Sequence, residues 1–152
     1  MSAQAVTIFC QRVVREEGNR TVPYDDATGK PVTAPVGNLS WGYGFNLAKI
    51  GSTQLFDAMV RFIAESFDTE LSKFDWYVGL ASEPTRQSVF LDVAYNDGVG
   101  GLLHFPKMIA FAAAKNWQEC AAECSVVKTN PKLDASRYGP LRLLIMTGDS
   151  HT

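Results

Sequence analysis

Two acids, Glu17 and Asp26, lie nine positions apart, and the segment Ser40-Trp41-Gly42-Tyr43-Gly44 follows soon after. The pair spans the junction between a predicted helix and a predicted β-hairpin, an arrangement that sets two carboxyl groups on opposite sides of one cleft. Hydrolysis of a glycosidic bond calls for such a pair. One acid protonates the leaving oxygen, and one carboxylate stabilises charge or activates water. The chain has 16 Asp and Glu residues in all, so two carboxylates alone carry little weight. What matters is how the surrounding elements hold them.

Glu17 stands on the first predicted helix. Val6, Cys10 and Val13 fall on one face at helical spacing, and Glu17 continues the row, with Glu16 on its flank. A carboxyl at the end of an apolar stripe is partly desolvated. Desolvation disfavours the charged form and raises the pKa, as a general acid near neutral pH requires. The alternative is a helix-end glutamate that reaches back to water. Downstream, Pro23-Tyr24-Asp25-Asp26-Ala27-Thr28-Gly29 has the composition of a turn entering a hairpin, in which Asp26 could equally be a plain turn aspartate. After Pro31 and Pro35, residues Leu39 to Leu47 alternate as a strand. Trp41, Tyr43 and Phe45 would share one face, with Gly42 and Gly44 on the other. Glycine inside a strand often marks the close approach of a ligand. Bare backbone beside aromatic rings suits a flat sugar ring, so Tyr24, Gly42, Tyr43 and Phe45 are candidate sugar contacts.

Glu17-Gly18, Tyr24-Asp25-Asp26 and Ser40-Trp41-Gly42-Tyr43-Gly44 together resemble the catalytic region of phage-type lysozymes, the endolysin family of the T-even phage lysozymes. That family's pattern is a glutamate, eight residues, an aspartate, then a threonine just before a Gly-x-Gly strand. Tyr95-Asn96-Asp97-Gly98-Val99-Gly100 is similar to the family's aromatic-Asn-x-Gly-x-Gly turn. Arg137, eleven positions before Gly148, falls where the family carries an arginine that reaches the catalytic glutamate. The resemblance spans almost the whole chain. There are departures: Ser40 replaces the threonine, the loop between Asp26 and Ser40 is longer, and Phe45-Asn46 replaces a histidine. Thr33 is an outside candidate for the role of Ser40.

The resemblance implies a muramidase that cuts the β-1,4 bond between N-acetylmuramic acid and N-acetylglucosamine in peptidoglycan. Glu17 would be the general acid, and Asp26 with Ser40 would hold the attacking water in an inverting reaction, without metal or cofactor. Arg137 becomes a cleft ion-pair candidate through the resemblance alone. Tyr95 and Asn96 either line the sugar cleft or cap and pack their turn. The implied fold is α+β, mostly α, and lysozyme-like: a small N-terminal lobe with a β-hairpin over about 1–52, and a helical lobe over about 53–152. The implied partners are glycan strands. The expected setting is the host bacterial cytoplasm, with release to the wall at lysis through another protein. Two rival readings are a lytic transglycosylase, which breaks the same bond with one acid and no water, and a phage structural domain that binds the wall without cutting it.

Composition fits one domain: 152 residues, 46% hydrophobic and 20% charged. No apolar run approaches the roughly 20 residues that span a membrane, and the first ten residues lack the pattern of a signal peptide. The three cysteines suit free thiols in a reducing compartment, with a Cys120–Cys124 pairing as the alternative. A net charge of −2 and a pI near 5.6 argue against nucleic-acid binding, which calls for a basic stripe. Arg12, Arg15 and Arg20, and Lys128, Lys132, Arg137 and Arg142, form local basic clusters, expected mostly as solvated surface. His104 is expected to be structural or exposed, and Trp117 to be core. A monomer is the expected state.

The remainder has helical periodicity. Ser52 can cap a helix running to about Tyr77, with Leu55, Met59, Phe62, Ile63, Phe67, Leu71 and Phe74 as its apolar stripe. Pro84 starts the next helix, with Val89, Phe90 and Val93 facing inward, and Asp97-Gly98 ends it. Helices follow from about Pro106 to Lys115, from an Asn116-Trp117-Gln118-Glu119 capping pattern, and from Pro140 to Met146.

Overall fold

The computed structural model describes residues 3–17, 40–41, 45–46, 53–126 and 131–149; for residues 16–17, 40–41, 45–46 and 53–56 it describes the backbone alone. In chain order the elements are α1 (Ala3–Glu17), β1 (Ser40–Trp41), β2 (Phe45–Asn46), α2 (Thr53–Leu71), α3 (Asp75–Val78), α4 (Pro84–Leu102), α5 (Pro106–Ala113), α6 (Trp117–Glu123), α7 (Pro131–Leu133) and α8 (Gly139–Thr147). A π-helical stretch, Asp134–Tyr138, joins α7 to α8.

The described residues are mostly helical, and this overturns the expected α+β class with its β-hairpin lobe. Their extended structure is limited to β1 and β2, two residues each, paired antiparallel with Ser40 opposite Asn46 and Trp41 opposite Phe45. Ser40–Trp41 and Phe45–Asn46 are therefore two antiparallel strands rather than parts of one alternating strand, and residues 42–44 lie outside the described residues. Two short strands do not make a stable sheet of their own, since about three are needed.

α4 is the central helix. Every residue from Gln87 to Ala94 is buried, the signature of a helix enclosed on all sides. α1, α2 and α8 pack against it, while α5 packs on α6 and α6 on α8. Pro84 occupies the first turn of α4, where a missing N–H costs no hydrogen bond. Val89, Phe90 and Val93 are fully buried, as their spacing implies. The helix does not simply stop at Asp97-Gly98. It kinks at Gly98 (φ 72°, ψ 165°) and resumes to Leu102. That positive φ is readily available to glycine and strained for other residues.

α2 departs most from its sequence reading. It ends at Leu71 rather than near Tyr77, and a separate short α3 follows, with Phe74 at its N-cap. Its inward row is Ala64, Asp68 and Leu71, with Val60 and Phe67 packed beside them. Met59 and Phe62 point outward, Phe62 at 74% exposure. The face is rotated because a carboxylate belongs to it. Asp68 is buried and accepts a hydrogen bond from the Tyr77 hydroxyl at 2.9 Å, and Gln87 Nε2 donates to the Tyr77 carbonyl at 2.9 Å. A stripe drawn through the large apolar residues misses a row that includes a satisfied acid.

At the other end, Asn116 caps α6 by accepting from the Glu119 N–H at 3.4 Å. Gly148 ends α8 in the left-handed conformation (φ 68°). Against that end lies Arg86, whose Nε donates to the Ile145 carbonyl at 2.7 Å and whose guanidinium sits 4.5 Å from the centre of the Trp117 ring. A Cβ at Gly148 would fall 2.8 Å from Arg86 Cζ. Gly148→Ala is therefore expected to lower stability by about 1–2 kcal/mol, from left-handed strain together with displacement of Arg86. Chemical denaturation checks this, and an unchanged midpoint would show that the α8 terminus yields freely.

Candidate functional site

The strongest polar constellation among the described residues is built on one carboxylate. Asp92 lies on α4 within the apolar run Val89-Phe90-Leu91-Asp92-Val93-Ala94 and is 0% exposed. Its Oδ2 accepts from Arg12 Nε at 3.0 Å and from Arg12 Nη2 at 2.9 Å. Its Oδ1 accepts from Arg137 Nε at 3.3 Å and from Asn96 Nδ2 at 3.1 Å. Asn96 Nδ2 also donates to the Asp92 carbonyl at 2.7 Å. Arg12 in turn donates to the Ser88 hydroxyl at 3.2 Å and to the Ser88 carbonyl at 3.1 Å. The two oxygens are thus divided. One is held by α1, and the other faces the π-helical stretch and the end of α4.

The two arginines are not equivalent. Arg12 is buried, at 4%, whereas the Arg137 side chain is 18% exposed and stands on the outer side of Asp92. Arg137 also lies 6.0 Å from the centre of the Tyr95 ring, and that ring meets Phe9 of α1 edge-on at 5.6 Å. Three sequence candidates, Tyr95, Asn96 and Arg137, therefore converge around Asp92. Asn96 is exposed and Tyr95 half-buried.

The π-helical stretch is fixed at three points. Asp134 accepts from Ser125 Oγ at 2.7 Å and the Val126 N–H at 2.8 Å, and Arg142 holds both its oxygens at 3.0 Å. Arg137 reaches Asp92. The Tyr138 hydroxyl donates to Asp97 at 2.6 Å, and its ring stacks on Phe105. π-helical turns alter the phase of the residues they carry and recur at functional sites. Burial, with the bond to Asp97, pushes the Tyr138 hydroxyl up and keeps it a donor. The hydrogen bonds from Arg142 and Ser125 hold the Asp134 carboxyl at about 2.

Of the remaining candidates, Glu17 is the last residue of α1, and Ser40 and Phe45 lie on β1 and β2. Their backbones are described and their side chains are not. Tyr24, Asp26, Gly42 and Tyr43 lie outside the described residues, as do Thr33, Arg20 and Lys128. On α1 the buried set is wider than the row Val6, Cys10, Val13, because Ala5, Phe9 and Arg12 join it.

Sequence reasoning missed Asp92 and took Arg12 for surface. The signal for Asp92 was present: a lone acid inside six otherwise apolar residues needs a cation. All three cysteines are free and buried. Burial raises each thiol, Cys120 to about 12. A cavity of about 340 Å³, lined by Cys10, Gln11, Val14, Asp57 and Arg61, opens between α1 and α2. Cys10, Gln11 and Val14 face away from Arg12 around the helix, so this cavity is separate from the Asp92 cluster. Among the described residues no three His, Cys, Asp or Glu side chains converge as a metal site, and no helix is long and apolar enough to cross a membrane. No family model, curated protein or solved structure matches the chain.

Two measurements follow from this geometry. Arg12→Met leaves a buried carboxylate without its main partner and is expected to cost about 3–5 kcal/mol in denaturant titrations; a loss below 1 kcal/mol would mean that Asp92 is otherwise satisfied. The depressed Asp134 acid favours folding above the unfolded-state pKa near 3.9, and this contribution disappears as pH falls toward about 2. Asp134→Asn should therefore lower Tm at pH 7 and flatten the decline between pH 4 and 2. Parallel pH curves for variant and wild type would refute the assignment.

Proposed function

We infer that this chain is a peptidoglycan muramidase that hydrolyses the β-1,4 bond between N-acetylmuramic acid and N-acetylglucosamine with inversion. The observation that carries the reading is the link between Arg137 and α1. One carboxylate, Asp92, is bonded both to Arg137 and to Arg12, five positions before Glu17 on the same helix. Arg137 was singled out by its resemblance to an arginine that serves a catalytic glutamate at the end of the first helix, and this link brings those two elements together.

In the proposed reaction Glu17, protonated, gives its proton to the leaving glycosidic oxygen. Asp26, ionised, takes a proton from a water that Ser40 helps to orient. That water attacks the anomeric carbon from the opposite face. Inversion requires the two carboxyl groups to stand roughly 6.5–9.5 Å apart, with room for the water. Tyr24, Gly42, Tyr43, Phe45, Tyr95 and Asn96 would contact the sugars. The substrate is the glycan strand, the working unit a monomer, and the route from the host cytoplasm to the wall depends on another protein.

Loss of turbidity and release of reducing ends from purified peptidoglycan test this directly. Glu17→Gln and Asp26→Asn should each reduce turnover by about 10²–10⁴-fold while remaining folded. Retained activity in Asp26→Asn, or anhydro-sugar products, would replace hydrolysis by transglycosylation. A wild type that binds the wall without cutting would reduce the protein to a binding domain.

A further inference from the structure

We propose that Asp92 is a positioning residue for the reaction, holding Arg137 in place through a three-member relay, Arg12–Asp92–Arg137. The inference rests on the muramidase reading for its kinetic consequence and on the structure for the relay itself. Asp92 is fully buried and its oxygens are divided between the arginines, with two bonds from Arg12 on Oδ2 and one from Arg137 Nε on Oδ1. Arg12 and the Asn96 amide fix the orientation of the carboxylate, so the direction from which Arg137 is held is set by α1 and α4 rather than by Arg137 itself.

Several features separate this from a simple structural ion pair. One carboxylate serves two guanidinium groups that come from distant parts of the chain. The member nearer solvent is Arg137, at 18% exposure, and it stands between Asp92 and the Tyr95 ring. Arg137 is also delivered by a π-helical stretch whose neighbouring residues, Asp134 and Tyr138, are separately tied down. A guanidinium held through Nε keeps its plane fixed, which a lysine ammonium in the same place would not reproduce. Misplacing a group that acts on a reacting centre by about 1 Å can cost roughly 10²-fold in rate.

The test compares wild type, Asp92→Asn and Arg137→Lys at a temperature where circular dichroism shows all three folded. The arginine Nε–H resonances are followed by nitrogen-15 NMR, with Arg137→Lys identifying the Arg137 signal. The relay predicts a slowly exchanging Arg137 Nε–H in wild type that exchanges rapidly in Asp92→Asn. On peptidoglycan it predicts that kcat falls at least about tenfold in both variants while KM stays within about twofold. A merely structural role would lower stability and leave the kcat of the folded protein unchanged. An Arg137 resonance indifferent to Asp92→Asn, or full kcat in either folded variant, overturns the proposal. If Asp92→Asn does not fold, Arg137→Lys decides: the charge remains and the Nε donor is gone, so undiminished kcat overturns the relay. If wild type binds the wall without turnover, the muramidase reading fails and the kinetic role falls with it, while the resonance alone decides whether Asp92 holds Arg137.

Discussion

Asp92 sets the terms on which the helical body closes. A carboxylate in the middle of the most enclosed helix is tolerable only if cations reach it, because burying an unpaired charge costs more than a domain of this size can supply. The cations come from two distant parts of the chain, Arg12 at one end and Arg137 at the other. Satisfying Asp92 therefore fixes α1 and the π-helical stretch against α4 together. Apolar burial alone would tolerate some sliding of these helices, since hydrophobic contact is not directional. The hydrogen bonds of a guanidinium are directional, and they remove that freedom.

The same logic repeats outward at smaller scale. Asp134 is held by Arg142 and by the end of α6, and Arg86 holds the carbonyls at the end of α8 while it packs on Trp117. Arg86 joins α4, α6 and the end of α8, which are not consecutive in sequence. Asp134 at one end of the π-helical stretch and the Tyr138–Asp97 bond at the other fix the stretch that carries Arg137, which explains how a π-helical turn persists despite its poorer hydrogen bonding.

Much of the helical body was legible from sequence because its punctuation is local. Pro84, Pro106 and Asn116 mark helix starts, and Gly148 marks an end, by conformational rules that need no tertiary context. Two kinds of feature were not legible. The inward face of α2 was drawn through Met59 and Phe62, yet it runs through Ala64 and Asp68. Apolar periodicity cannot register an acid that is buried because a tyrosine hydroxyl meets it. The expected strand over Leu39–Leu47 failed for a related reason: alternation marks which residues share a face but not whether they belong to one strand, and Ser40–Trp41 pairs antiparallel with Phe45–Asn46. The candidate site was half legible. Tyr95, Asn96 and Arg137 were named and do converge, and the acid that gathers them was visible as a lone charge in an apolar run, but its cations were not identifiable. Its partners lie 80 and 45 positions away in sequence, beyond any local pattern.

The charge balance takes on a different meaning once the arginines are located. Read as sequence, Arg12 and Arg142 were expected mostly as solvated surface in a chain of net charge −2, and Arg137 as a cleft ion-pair candidate through the resemblance. In the structure Arg12 and Arg137 share Asp92, and Arg142 is paired with Asp134. A steering field needs cations at the surface, and these three arginines are instead bonded to the buried carboxylates Asp92 and Asp134. Guanidinium–carboxylate bonds act over a few ångströms and are silent at a Debye length, so these cations orient the helices that meet at α4 and α8 rather than attract a distant partner.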